Sequence, residues 1–163
     1  MKNKKVLFLS QAAMIAALYV VLTFVANAFG LASGAIQVRL SEMLAILPFF
    51  TPAAIPGLYI GCMLSNLLTG GCLLDIVIGS LASLIGAVGA YLVRKKKWLV
   101  PLPTILANAV IVPFVLIYGY GLVDAWWYLV LTVGAGEVIS CGVLGMILLL
   151  ALQKNAARIF KTA

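Results

Sequence analysis

Long apolar runs separated by short polar or breaker-rich stretches organise this chain, and the runs are too long and too uniform for a soluble fold. The first extends from Val6 to about Phe29. A second, from about 38 to 51, begins in "QVRLSEMLAILPFF" and stops at "TPAAIPG", whose two prolines and glycine break a helix. A third covers about 53–69 and is closed by "TGGC"; the fourth, "DIVIGSLASLIGAVGAYLV", is 75–93. The fifth runs from about 100 to 118 and the sixth from about 125 to 153. Apolar stretches of about 18 residues or more with few charges mark membrane-spanning helices. The pattern predicts an all-α, polytopic membrane protein of six transmembrane helices in one domain, residues 1–163.

The second run is short. Its 14 residues cover about 21 Å as an α-helix, against a hydrocarbon core of about 30 Å. The expectation is that it starts in the interface or that its outer end lies within the protein. The first run follows Lys2, Lys4 and Lys5, as a secretory signal would, but it is too long for a signal's apolar region and reads as a retained span.

Composition supports this picture: 65% of residues are hydrophobic and 9% charged, where soluble domains are about half apolar and about a quarter charged. The net charge of +7 does not imply nucleic acid. Its sources cluster at Lys2–Lys5, Arg94–Lys97 and Lys154–Lys161, the juxtamembrane positions favoured by the positive-inside rule and by anionic lipid. With six spans, all three clusters fall on one side, and the opposite loops near 30–37, 70–74 and 119–124 hold no lysine or arginine. The expected topology has both termini in the cytoplasm, in the plasma membrane.

Small residues mark helix contacts. Gly79, Ser83, Gly86 and Ala90 form a stripe on the fourth span, Gly134, Gly142 and Gly145 on the sixth, and Ala12, Ala13, Ala16 and Ala17 on the first. Internal packing explains each; a docking face for another membrane protein is the sharper alternative.

Few polar residues enter the runs, and they carry the candidate chemistry. Arg39 and Glu42 sit near the outer end of the second span, Asp75 at the outer start of the fourth, Asn108 mid-way along the fifth and Glu137 close to the middle of the sixth. A carboxylate at a helix centre costs about 2.5–3.5 kcal/mol on insertion scales, so such residues face a protein interior or an aqueous cavity. The bland readings are a local Arg39–Glu42 ion pair three residues apart, an Asp75 N-cap and an interhelical Asn108 hydrogen bond. Glu137 has no cation within four residues. Trp126, Trp127 and the tyrosines near them serve equally as interfacial anchors or as stacking partners. Carboxylates beside flat aromatics suit a planar, nitrogen-rich heterocycle.

No histidine, no CxxC pairing, no GxxxxGK[ST] and no GxSxG appears. Metal-site spacing, an intrinsic ATPase and an imidazole-based hydrolase therefore find no support, and no cofactor is expected. Cys62, Cys72 and Cys141 read as small apolar residues. No inverted repeat of the kind found in many secondary transporters is visible.

The motifs "QVRLSEMLAILPFFTPAAIPGLYIGCMLSNLL", "DIVIGSLASLIGA", "PLPTILANAVIV" and "VGAGEVISCGVLG" resemble the QueT family over about residues 8–152. That resemblance implies a substrate-binding S-component of an energy-coupling factor (ECF) importer, with a six-helix fold that captures a 7-deazaguanine queuosine precursor from outside. It also implies a membrane coupling subunit and two cytoplasmic ATPases as partners, with Ala12, Ala13, Ala16 and Ala17 at the docking position. For such a ligand the expected roles place Glu137 on the guanine-like edge, Asn108 on a carbonyl or ring nitrogen, and Asp75 or Glu42 on an aminomethyl cation, with Arg39 orienting Glu42. An S-component for another vitamin-like molecule and a stand-alone proton-coupled carrier using Glu137 are the alternatives.

Overall fold

The structure is a computed structural model describing residues 4–31 and 37–160, so Lys2, Lys161 and residues 32–36 of the first loop lie outside the described residues. Among the described residues every regular element is helical. Helix α1 is Lys4–Ala28, followed by a 3-10 helix, Leu40–Phe49, and by α2, Ala54–Leu68. A π-helical turn at Asp75–Gly79 leads into α3, Ser80–Leu92, and α4 is Leu102–Tyr120. Helix α5, Trp126–Glu137, continues through a π-helical segment, Val138–Leu144, into α6, Gly145–Gln153, and α7 is the short Ala156–Ile159.

Four continuous segments are long and apolar enough to cross a membrane: Lys4–Ala28, Asp75–Leu92, Lys97–Tyr120 and Trp126–Gln153. Their outward faces leave large apolar side chains exposed, among them Leu9, Ile85, Leu106, Leu131 and Ile147. A helix apolar on its outer face as well as its inner one has hydrocarbon as its solvent. Leu40–Phe49 and Ala54–Leu68 are apolar but shorter.

The second apolar run departs from the α-helix expected of it. Residues 40–49 form a 3-10 helix with Pro48 inside it, and ten residues at about 2.0 Å each reach about 20 Å. Its sides are buried: Ser41, Glu42, Leu44, Ala45, Ile46, Leu47 and Pro48 are all shielded. It is a core strut, with Ile46 and Leu47 packed among Ile15, Leu58, Ala87 and Leu149.

Small residues do the close packing. A Cβ on Gly57 would stand 2.8 Å from the Ala12 carbonyl, and one on Gly61 would stand 3.0 Å from the Ala16 Cα. Glycines four apart on α2 thus receive alanines four apart on α1. This divides the alanine stripe expected to dock a partner. Ala12 and Ala16 are buried against α2, whereas Ala13 and Ala17 are exposed. On α3, a Cβ at Gly86 would meet Thr104 of α4 at 2.7 Å, and Ala90 is fully buried. Gly145 packs on Ile46, 3.1 Å from where its Cβ would lie. Internal packing therefore accounts for these positions.

Three helices end at left-handed glycines: Gly30 (φ 67°), Gly70 (φ 78°) and Gly121 (φ 71°) close α1, α2 and α4. The Leu31 and Gly71 amides bond back to the Ala26 and Asn66 carbonyls at 3.0 and 2.7 Å, a geometry that favours a residue without Cβ.

Gly61→Leu is expected to lower stability by about 1–3 kcal/mol through overpacking against Ala16 and Tyr19. Unfolding midpoints in detergent measure this, and Ala17→Val on the exposed face of α1 is expected to leave the midpoint unchanged.

Candidate functional site

One end of the bundle gathers the C-terminal ends of α1, α2 and α4 with the starts of the 3-10 helix and of the Asp75 turn. Between them lies a cavity of about 380 Å³ whose wall includes Thr23, Asn27, Arg39, Asn66, Asp75 and Tyr120. That volume falls within the range of about 300–1,000 Å³ usual for small-molecule sites. The opposite end holds the Arg94–Lys97 cluster and the end of α6.

Asp75 organises the cavity wall. Its carboxylate accepts a hydrogen bond from the Tyr120 hydroxyl at 2.9 Å and faces the Arg39 guanidinium at 4.0 Å. The Asn66 amide donates to the Asp75 carbonyl at 3.0 Å, and the Cys72 backbone N–H donates to the Tyr120 oxygen at 3.3 Å. Gly79 leaves room for this, because a Cβ there would overlap the Asp75 carboxylate. The π-helical turn spans just these residues, Asp75–Gly79, and such turns recur at functional sites.

Two bland readings of the sequence are corrected. Asp75 is no N-cap: helical structure starts at residue 73, and no side-chain cap hydrogen bond is made. Arg39 reaches Asp75 instead of bonding Glu42. Its backbone is extended (φ −91°, ψ 98°), so it stands before the 3-10 helix and its side chain turns to the cavity. Glu42 is oriented from another helix, accepting a short hydrogen bond from the Tyr19 hydroxyl of α1.

A second polar layer lies one turn deeper. Tyr19 is one α-helical turn below Thr23, Glu42 one 3-10 turn below Arg39, and Asn108 one turn below Val112, each of the upper residues lining the cavity. Asn108 stands close to both Glu42 and Glu137. Glu42, Asn108 and Glu137 are 1%, 1% and 4% exposed, so the layer is sealed from solvent. Four buried polar atoms there make no hydrogen bond among the described residues: Thr104 Oγ1, Asn108 Nδ2, Glu137 Oε2 and Ser140 Oγ. Buried polar atoms are nearly always paired, and an unpaired one costs about 1–3 kcal/mol. These four come from α4 and from the junction of α5 with the π-helical segment Val138–Leu144.

The sequence-predicted residues thus fall into three groups. Arg39 and Asp75 line the cavity, and Glu42, Asn108 and Glu137 form the layer beneath it. Trp126 and Trp127 stand outside both, 43% and 64% exposed, with Trp126 against Phe114 at 5.8 Å. Their position matches interfacial anchors. Tyr19, Asn66 and Thr104 were not singled out as site residues, although each is a polar group inside an apolar run, the same signal that exposed Asn108.

The comparisons with known proteins converge on one family. A family model described as QueT transporter matches residues 9–154. The queuosine precursor transporter QueT of Lactococcus lactis subsp. cremoris (strain MG1363) is 39% identical over 85 residues, which cover 52% of this chain and 50% of that relative. The chain thus spans about half the length of the curated relative it matches. No solved structure matches the chain.

Tyr19→Phe is expected to cost about 1–3 kcal/mol, because it leaves the buried Glu42 carboxylate without its donor. Adding Glu42→Gln to that variant is expected to recover part of the loss. A double-mutant cycle on unfolding free energies measures the coupling.

Proposed function

The chain belongs to the QueT transporter family, and from this we propose that it captures a queuosine precursor of the 7-deazaguanine class on the outer side of the membrane. In this reading it is the S-component of an ECF importer. It crosses the membrane six times with both termini in the cytoplasm, the two shorter apolar elements completing the set. A membrane coupling subunit and two cytoplasmic ATPases supply the energy for release inward.

One observation carries the substrate assignment: the unpaired atoms of the deeper layer complement a guanine-like edge. Such an edge presents a carbonyl acceptor beside two N–H donors. Asn108 Nδ2 is an unpaired donor and Glu137 Oε2 an unpaired acceptor, held by adjacent helices. The ring enters between Asn66, Asp75 and Tyr120, and its polar edge reaches Asn108 and Glu137 one turn below once the side chains that cover that layer move aside. Tyr120 and Asp75 stand at the rim, where an aminomethyl ammonium can pair with the Asp75 carboxylate. Charge-assisted hydrogen bonds of this kind contribute about 1.5–3 kcal/mol each.

Docking of the coupling subunit then falls to the exposed part of the α1 stripe, Ala13 and Ala17, together with their exposed neighbours Met14 and Leu18. Ala12 and Ala16 set the α1–α2 spacing behind that face.

Calorimetric titration of the detergent-purified chain with 7-aminomethyl-7-deazaguanine tests the capture role, with guanine and riboflavin as controls. Saturable, selective binding is expected. Glu137→Gln is expected to weaken it at least tenfold, and unchanged affinity would remove Glu137 from the site. Ala17→Trp is expected to leave binding intact and abolish uptake in cells carrying the whole importer. Uptake that persists without any ATPase subunits, and follows the proton gradient, would favour a stand-alone carrier.

A further inference from the structure

The end of the molecule opposite the cavity carries a groove that substrate capture does not use. It holds about 730 Å³ and is lined by Lys95, Lys96 and Lys97 together with Phe49, Trp98 and Leu99. Its two halves differ in chemistry. One presents ammonium groups; the other is aromatic and aliphatic, and Trp98 is 67% exposed. Leu92 and Leu102, at the neighbouring ends of α3 and α4, also carry exposed apolar side chains.

Among the described residues, Lys95, Lys96 and Lys97 have no carboxylate counter-charge within the chain. Its four acidic residues are Glu42, Asp75, Asp124 and Glu137. Glu42, Asp75 and Glu137 belong to the polar layers of the candidate site, and Asp124 lines a smaller cavity with Gln37, Tyr128 and Thr132. Arg94 is engaged locally: its guanidinium lies 3.7 Å from the Tyr91 ring centroid and donates to the Tyr91 carbonyl at 2.8 Å. Lys97 lies 5.5 Å from the Trp98 ring centroid, so cation and aromatic face share the groove.

We propose that this groove binds an anionic phospholipid, with Lys95, Lys96 and Lys97 on its phosphate and Phe49, Trp98 and Leu99 against its glycerol and upper acyl chain. A free phosphate would fill the cationic half and leave the apolar half empty. An acidic protein segment would have to lay charge along the wall formed by Phe49, Trp98 and Leu99. A lipid matches both halves, since basic pockets at the ends of membrane helices attract anionic headgroups at about 1 kcal/mol per lysine, or about fivefold in affinity.

The test uses the full chain, purified in neutral detergent and stripped of lipid, carrying Trp126→Phe and Trp127→Phe so that Trp98 is its single tryptophan. Short-chain phosphatidylglycerol, short-chain phosphatidylcholine and glycerol phosphate are titrated while Trp98 fluorescence is read. Phosphatidylglycerol is expected to give a saturable change at least tenfold tighter than either control. That binding is expected to weaken as NaCl rises from about 0.05 to about 0.5 M, and to fall at least tenfold in Lys95→Gln/Lys96→Gln/Lys97→Gln. Equal binding of phosphatidylcholine would overturn the proposal. So would glycerol phosphate binding as tightly as phosphatidylglycerol, which would make the groove a free-anion site. Salt-independent binding, or a folded triple variant with undiminished affinity, would also sink it. The headgroup comparison and the salt series use the native lysines, so they decide the matter even where the triple variant fails to fold.

Discussion

Burying carboxylates inside an apolar helical bundle is the constraint on which the rest of this structure depends. Asp75, Glu42 and Glu137 are 7%, 1% and 4% exposed, and one guanidinium, Arg39, stands near them. Removing a charge from water costs several kcal/mol unless hydrogen bonds and counter-charges replace the lost solvation. For Asp75 the replacements are Arg39 and Tyr120; for Glu42 the replacement is Tyr19. Tyr19 comes from α1, Tyr120 from α4 and Arg39 from the extended segment before the 3-10 helix, so the polar groups fix how those elements sit. The close approach of α1 to α2 through Ala12, Ala16, Gly57 and Gly61 brings Tyr19 into reach of that interior. Glu137 is the exception: among the described residues no cation stands against it, and its polar neighbour is the Asn108 amide.

The long helices were legible in the sequence because apolar runs of more than about 18 residues have few alternatives. The 3-10 helix was not. Its run was recognised as too short, and the expectation that its outer end is enclosed by protein agrees with its buried sides. Periodicity cannot tell a 3-10 helix from an α-helix over ten residues when nearly every position is apolar. Glu137 and Asn108 stood out for the physical reason that decides their placement, the expense of polar groups at membrane depth. Partners were harder to foresee. Arg39 and Glu42 are three apart in sequence, which suggested each other; extended backbone at Arg39 sends its side chain to Asp75, and Tyr19, 23 residues before Glu42, takes the carboxylate instead. Long-range pairing of this sort follows from helix packing, which one sequence does not display.

The molecule is also polar along its length. Glu42, Asp75 and Glu137 belong to the cavity and the layer below it, whereas Lys95, Lys96 and Lys97 line a groove at the other end. The positive-inside rule explains where lysines go; it does not require that they line a groove with an aromatic and aliphatic wall. The two ends therefore differ in character, a cavity over buried carboxylates at one and a lysine-lined groove with an aromatic wall at the other. The alanine face of α1 lies along the side between them. Splitting that stripe into a buried pair and an exposed pair lets one helix both hold the core together and present a smooth outer face.

A structure of the protein purified with 7-aminomethyl-7-deazaguanine tests the central claim most directly. The account predicts a flat ligand between Asn66, Asp75 and Tyr120, its polar edge within hydrogen-bond distance of Asn108 and Glu137. A ligand seated elsewhere on the molecule, or a folded protein that retains none, would contradict it.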